Sequence, residues 1–309
     1  MAGPGDAARR STFPAGAALV DGDVAWVLID QRPGRALGPA LAWADRAGVT
    51  TLHVLVDDDS AGALARQALA FTPSPSVWQI RGRQLVAAGP APYPPAREPA
   101  AEALAAAQVL RDGDVEVVVE HGQVLGEILG LEIARVVVDE HGARIEVGVG
   151  RHDREAFAML HGDLPAPAAL ASVADTVRRH RRAGASPHPL GRLAAERWLR
   201  RRLMDDPSLV DAVVLEPVET SVPRASVKDA APAAAVGIDA AGEQVVVVCS
   251  TGIDLDLVPT AADVRVGHAP GARLVLVVPE RDDHPVTRAL AATLVRPAEI
   301  VVLPGDGRG

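Results

Sequence analysis

Aromatic residues, lysine and cysteine are all scarce in this chain, and each shortage removes a class of function. Aromatics make up 3% of 309 residues, so a core must be built from Val, Leu, Ile and Ala. Stacking platforms for single strands or sugars are disfavoured. The single cysteine, Cys249, excludes an internal disulfide and a cysteine-based zinc site and fits a reducing compartment. At a strand end it reads as a small buried hydrophobe rather than a nucleophile. Lys228 is the only lysine among 31 basic residues. Its amine, unlike a guanidinium, can lose a proton, but it stands in a Pro/Ala-rich stretch and reads first as a surface residue. The dominance of Ala, Gly, Pro and Arg is that of a high-GC bacterial protein.

No run approaches the roughly 20 apolar residues of a membrane span, and Met1 to Thr12 shows no signal-peptide pattern, so the expectation is a cytoplasmic protein without membrane contact. P-loop, dinucleotide, nucleophile-elbow and H-E-x-x-H signatures are all missing. No nucleotide cofactor is therefore implied, and no motif assigns an activity.

What is present is 48% apolar and 23% charged, a globular balance at a length that suits two or three domains. The most informative stretch is Val245 to Val248, which admits no solvated face and reads as a strand covered on both sides. Ligands in open α/β sheets sit beyond the carboxyl ends of strands. Ser250, Thr251, Asp254 and Asp256 follow this strand and are the expected ligand-binding residues.

Around that strand the pattern is strand, helix at Ala261–Asp263, strand at Leu274–Val278, helix at His284–Leu294, strand at Glu299–Val302. A similar order stands near the start: strand Val24–Ile29, helix from Leu37, strand Leu52–Val56, helix Ser60–Phe71, strand Val77–Ile80. Leu52 to Val77 and Leu274 to Glu299 are both 25 positions apart, which suggests an internal duplication. The expected fold class is α/β, with Rossmann-like or similar units at residues 1–90 and 207–309 flanking an α+β middle at 100–206. Five prolines in Gly89–Pro99 mark a linker or stiff surface crossing.

The middle region is expected to hold a helix at Ala101–Leu110, a strand at Val115–Val119, and one long hairpin formed by Leu125–Val138 and Arg144–Val149. Three helices follow, at Asp153–Leu160, Ala168–Arg182 and Leu190–Leu203, the last two separated by Pro187 and Pro189. The tail Gly305–Gly309 reads as disordered.

Charge is unevenly spread. Arg178, Arg179, Arg181, Arg182, Arg192, Arg197, Arg200, Arg201 and Arg202 face one acid, Glu196, within a chain of net −9. Such a surface suits nucleic acid, a phosphorylated ligand or an acidic protein partner, and equally docking onto the chain's own acids or a second subunit. A second group, Glu132 and Glu146 on the hairpin with His152 and Asp153 beyond it, could hold a divalent metal, although its spacing equally describes a solvated strand face. The sequence thus favours a binding or regulatory protein for an anionic ligand, nucleic acid or protein partner. The alternative is a metal-dependent phosphoester hydrolase using strand-end carboxylates.

Overall fold

A computed structural model describes residues 8–161, 164–182, 184–186, 188–224, 226 and 228–304, with the backbone alone at 157, 158, 160 and 161. Pro187 and the Gly305–Gly309 tail lie outside the described residues.

The protein is mixed α/β with three sheets. The first holds β1 (Arg9–Phe13), β2 (Gly16–Asp21), β3 (Val24–Ile29), β4 (Thr51–Val56), β5 (Ser76–Arg81) and β6 (Gln84–Ala87) in sequential order, with α1 (Leu37–Ala47) and α2 (Ala61–Ala68) joining its central strands. β3, β4 and β5 are parallel, as the alternating pattern implies, and β1, β2 and β6 add antiparallel edges that sequence reading left unassigned. Period-two alternation is intact on β3: Ala25, Val27 and Ile29 are buried, and Val24, Trp26 and Leu28 are half-buried.

After α3 (Ala101–Asp112), a second sheet is an antiparallel meander of β7 (Glu116–Glu120), β8 (Gln123–Ile128), β9 (Leu131–Asp139) and β10 (Gly142–Val147). The expected first hairpin arm is therefore two strands, reversed at Leu129-Gly130, where both residues take left-handed φ of 50° and 73°. A leucine in that conformation gives no turn signal. Helices α4 (Gly150–His161) and α5 (Ala166–Arg181) follow. The expected helix at Leu190–Leu203 is broken into α6 (Pro189–Arg192) and α7 (Ala195–Asp205) by Ala194, whose φ is 46°.

The third sheet has β11 (Val214–Val218), β12 (Ala233–Ile238), β13 (Gln244–Cys249), β14 (Arg273–Pro279) and β15 (Glu299–Leu303), with α8 (Leu257–His268) and α9 (Pro285–Ala292) in its crossovers. Its pairing runs antiparallel, antiparallel, parallel, parallel, the order found along β1 to β5.

Packing explains the valine run. Val246 and Val248 join a core that α1, α2, α8 and α9 build between the first and third sheets. Val245, Val247 and Cys249 point the other way, into a core closed by Leu199 and Leu203 of α7. Burying a side chain of this size stabilises by roughly 1.5–3 kcal/mol, and polar residues are excluded on both faces. The two terminal units are also pinned by charge: Arg66 on α2 grips Asp263 on α8 at 2.7 and 3.1 Å, both buried, and Ser221 donates to the same carboxylate at 2.6 Å. The proline-rich segment after β6 packs across this seam, with Arg66 donating to the Ala91 and Pro92 carbonyls. Among the described residues no helix is long and apolar enough to cross a membrane.

Candidate functional site

Helix α7 is two-faced. Its leucines serve the third sheet, and the opposite side carries Arg197 and Arg200 onto the meander, where Glu120 ends β7 and Glu127 sits in β8. Arg197 pairs with both Glu120 and Glu127, and Arg200 reaches the same two at 3.3 and 3.6 Å. Glu127 is 1% exposed and Arg200 3%. Burial pulls the Arg197 pKa down, but Glu127 and Glu120 outweigh it and hold it above the ordinary value. Arg201, further along, meets Glu116 at 2.7 Å.

Beside this seam opens a cleft of about 800 Å³. Its walls come from β8 and β9, the start of α4, the start of α7 and the connection between β11 and β12. Six basic side chains line it: Arg135, Arg151, Arg154, Arg197, Arg224 and Lys228. Only three carboxylates do, Glu120, Glu132 and Asp153. A positive surplus of three is thus concentrated in a protein of net −9.

Arg224, 10% exposed at its side chain, is the least compensated arginine here. Its Nη2 bonds Glu196 at 3.3 Å and the Ala231 carbonyl at 3.0 Å, whereas its Nη1 is buried with no hydrogen-bond partner among the described residues. Burial, then the nearby Arg197, push its pKa below the ordinary arginine value. The guanidinium stays charged, because arginine does not deprotonate in proteins.

The residues grouped by sequence reading fall in three places. Ser250 is buried, and Thr251 donates to Glu196 at 2.8 Å, which links the end of β13 to Arg224 through one carboxylate. Asp254 accepts from Arg35 at 2.5 Å, and the buried Asp256 accepts the Gly38 N–H of α1 at 2.9 Å. These two carboxylates therefore lie in the contact between the terminal units, and neither lines the cleft. A Cβ at Gly38 would stand 1.9 Å from the Leu255 carbonyl oxygen, so only glycine permits that approach. Cys249 is fully buried, and burial pushes its thiol up to about 12, in line with the reading of an inert hydrophobe.

Burial, opposed by the Gly38 N–H and assisted by Asp254, raises the Asp256 carboxyl from 3.8 to about 7. A folded pKa above the unfolded one means that the native state holds the extra proton between about pH 4 and 7. The group's contribution is fully present below about pH 4 and is lost as pH rises through 7. Asp256→Asn should remove this loss. We expect urea unfolding at pH 8 to find the variant about 1–3 kcal/mol more stable than the wild type, with the difference vanishing at pH 4. Equal pH profiles for the two proteins would show that Asp256 is ionised without cost.

Glu132 and Glu146, expected as metal ligands, are both engaged by Arg154, at 2.9 and 3.8 Å, and Glu132 also by Arg135. Asp153 accepts the Val149 N–H at 2.6 Å, while His152 is 96% exposed and faces Glu155. Among the described residues no group of three or more His, Cys, Asp or Glu side chains could hold a metal ion.

The expected arginine surface turns partly inward. Arg181, Arg197 and Arg200 are buried, Arg181 donating to the carbonyls of Leu129, Leu190 and Leu193. Arg178, Arg201 and Arg202 are half-buried, with Arg178 bonded to Asp114, and Arg179, Arg182 and Arg192 are exposed. Sequence reading passed over Arg135, Arg154 and Arg224. Their advance signs were the neighbouring His152 and Asp153 and the lone Lys228, which share the cleft.

No family model matches this chain, and no curated protein or solved structure is significantly similar to it.

Proposed function

We propose that the cleft binds a small anionic ligand and that the protein acts as a binding or regulatory protein for it. One observation carries this reading: twice as many basic side chains as carboxylates line the cleft, in a chain that is acidic as a whole. Several of these arginines pair with carboxylates that do not line the cleft, Glu127, Glu146, Glu155 and Glu196, so the wall itself presents more cations than acids, and an anion entering the cleft is attracted by them. A cleft of about 800 Å³ lies within the ordinary size range for small-molecule sites. The hydrolase alternative has less to rest on, because the carboxylates it would use as ligands are already neutralised by Arg154 and Arg135.

We further propose that the terminal units are repeats related by an approximate two-fold axis. Shared strand-pairing order supports this. So does the antiparallel bridge between Phe71 and Leu294, each of which follows the second crossover helix of its unit. Around it, Thr72 donates to Thr293 and Val295 to Ala70, both at 2.8 Å, as symmetry about such an axis would place them. On this reading the repeats form a platform, and α7 holds the ligand-binding meander against it.

The test uses two residues at the open side of the cleft, Arg151, whose side chain is 82% exposed, and the exposed Lys228. Multivalent anions should raise the wild-type melting temperature at 150 mM KCl in a saturable way, by about 3 kcal/mol of linkage at a hundredfold excess over Kd. The double reversal Arg151→Glu with Lys228→Glu should abolish that response and leave the unliganded melting temperature within a few degrees. An unchanged response in the reversal variant would remove the cleft from consideration.

A further inference from the structure

The cations of the cleft differ in how far the protein already satisfies them. Arg197 is held by Glu120 and Glu127, Arg154 by Glu132 and Glu146, and Arg151 by Glu155. Arg135 shares Glu132 with Arg154. The two that remain are Arg224, with its buried and unbonded Nη1, and Lys228, which has no ion-pair partner among the described residues. Both belong to the connection between β11 and β12. That connection is fastened where it begins: Glu219 accepts the His121 N–H, and its carbonyl meets Tyr93 Oη at 3.2 Å and His268 Nε2 at 2.9 Å. Near its end, Arg35 donates to the Ala230 carbonyl at 2.6 Å. Arg224 is further positioned by Glu196, which Thr251 holds from the end of β13. Between these fastenings at Glu219 and Ala230 the connection brings two underused cations to the wall of the cleft.

The rest of the lining narrows the chemistry. Among the described residues no Phe, Tyr or Trp faces the cleft, so a base would find only the imidazoles of His121 and His152 and the guanidinium planes to stack on, and these planes serve oxyanions as well. Apolar contributions are few, chiefly Leu125, Val149 and Pro223. Guanidinium groups predominate, and they match the oxygens of phosphate or carboxylate in a bidentate manner. Glu127, Glu146, Glu155 and Glu196 pair with lining arginines but do not line the cleft, so three more cations than carboxylates face the space itself, which favours a ligand that carries several negative charges in a small volume. A phosphate group brings up to about two charges where a carboxylate brings one.

Resting on the reading of the cleft as an anion site, we infer that its ligand is a phosphate-dense anion without an aromatic part, and that Arg224 and Lys228 are its contact residues. An inorganic oligophosphate and a phosphorylated polyol share this chemistry.

Isothermal titration calorimetry at 150 mM KCl with four probes tests it: inorganic tripolyphosphate, inositol hexakisphosphate, ATP and citrate. Tripolyphosphate, inositol hexakisphosphate or both should bind at one site, and the tighter of the two identifies the source. ATP should bind no more tightly than tripolyphosphate, and citrate at least tenfold more weakly than the better phosphate probe. Lys228→Ala, a change at an exposed position, should weaken that phosphate probe tenfold or more, and Arg224→Gln should do so by a larger factor with unfolding still cooperative. Citrate binding as tightly as the phosphates would overturn the phosphate assignment while leaving an anion cleft. ATP at least tenfold tighter than tripolyphosphate would overturn the exclusion of an aromatic part. Phosphate binding unmoved by Lys228→Ala would overturn the role of the connection. If none of the four binds, the anion reading itself falls.

Discussion

Glu127→Ala should destabilise the protein by about 3–5 kcal/mol, the range found when one partner of a buried ion pair is removed. Glu127 is 1% exposed and lies between Arg197 and Arg200, themselves 7% and 3% exposed. Without it, two buried guanidiniums share Glu120 alone. Little of either guanidinium meets water, so solvent compensates poorly and their mutual repulsion is weakly screened. The loss comes from stranding charge, which a second experiment can isolate: Glu127→Met with Arg200→Met should cost clearly less than the sum of the two single changes. Urea unfolding of the four proteins measures this. A cost under about 1 kcal/mol for Glu127→Ala would mean that the network is screened like a surface pair. Glu127 does not line the cleft, so its removal reports on the seam rather than on ligand contact.

The same seam explains why an acidic chain gathers arginines in one segment. Helix α7 must bury two faces. Toward the third sheet it offers Leu199 and Leu203, and toward the meander it offers cations that meet strand-borne glutamates. The second face costs desolvation that a leucine face would avoid, and it carries Arg197 to the wall of the cleft. The ion pairs thus join the candidate site to the scaffold, whereas the hydrophobic face supplies the attachment.

Much of the α/β framework could be read from periodicity. The Val245–Val248 run declared a strand buried on both faces, and β3, β4, β5, β14 and β15 fell where apolar runs stood. The element covering the outer face of β13 was not legible, because α7 shows only two leucines among charged residues and its neighbour in space lies beyond a long connection. Nor was the burial of Arg197 and Arg200 readable. Charge density along a helix looks like a solvated face, and the neutralising glutamates stand 70 to 80 positions away. Periodicity also drew attention to Asp254 and Asp256 at a strand end, where Asp256 holds the start of α1 and Asp254 holds Arg35 just before it. The cleft was harder still, since Arg224 and Lys228 come from a Pro/Ala-rich connection with no repeat of any period.

Gly130→Ala should cost about 2–5 kcal/mol, through a backbone that permits neither the conformation nor the space. Gly130 completes the turn between β8 and β9 with φ of 73°, left-handed backbone that costs an L-residue roughly 1–2 kcal/mol. A Cβ there would stand 2.5 Å from the carbonyl carbon and oxygen of Arg197 and 2.8 Å from the Trp198 nitrogen. All three are backbone atoms of α7, which no rotamer change can withdraw, and overpacking of this kind adds roughly 1–3 kcal/mol. To admit the methyl group, the turn and the helix must part. That separates Arg197 from Glu127 and shifts one wall of the cleft, so affinity for a bound anion should fall together with stability. Gly82→Ala is the matched control: its φ is 61°, and a Cβ there meets nothing within 4 Å. It should show only the conformational part, about 1–2 kcal/mol, with ligand affinity unchanged. If both alanine variants lose the same stability in urea, the close approach of the turn to α7 contributes nothing, and the meander is not held against the helix in the way described.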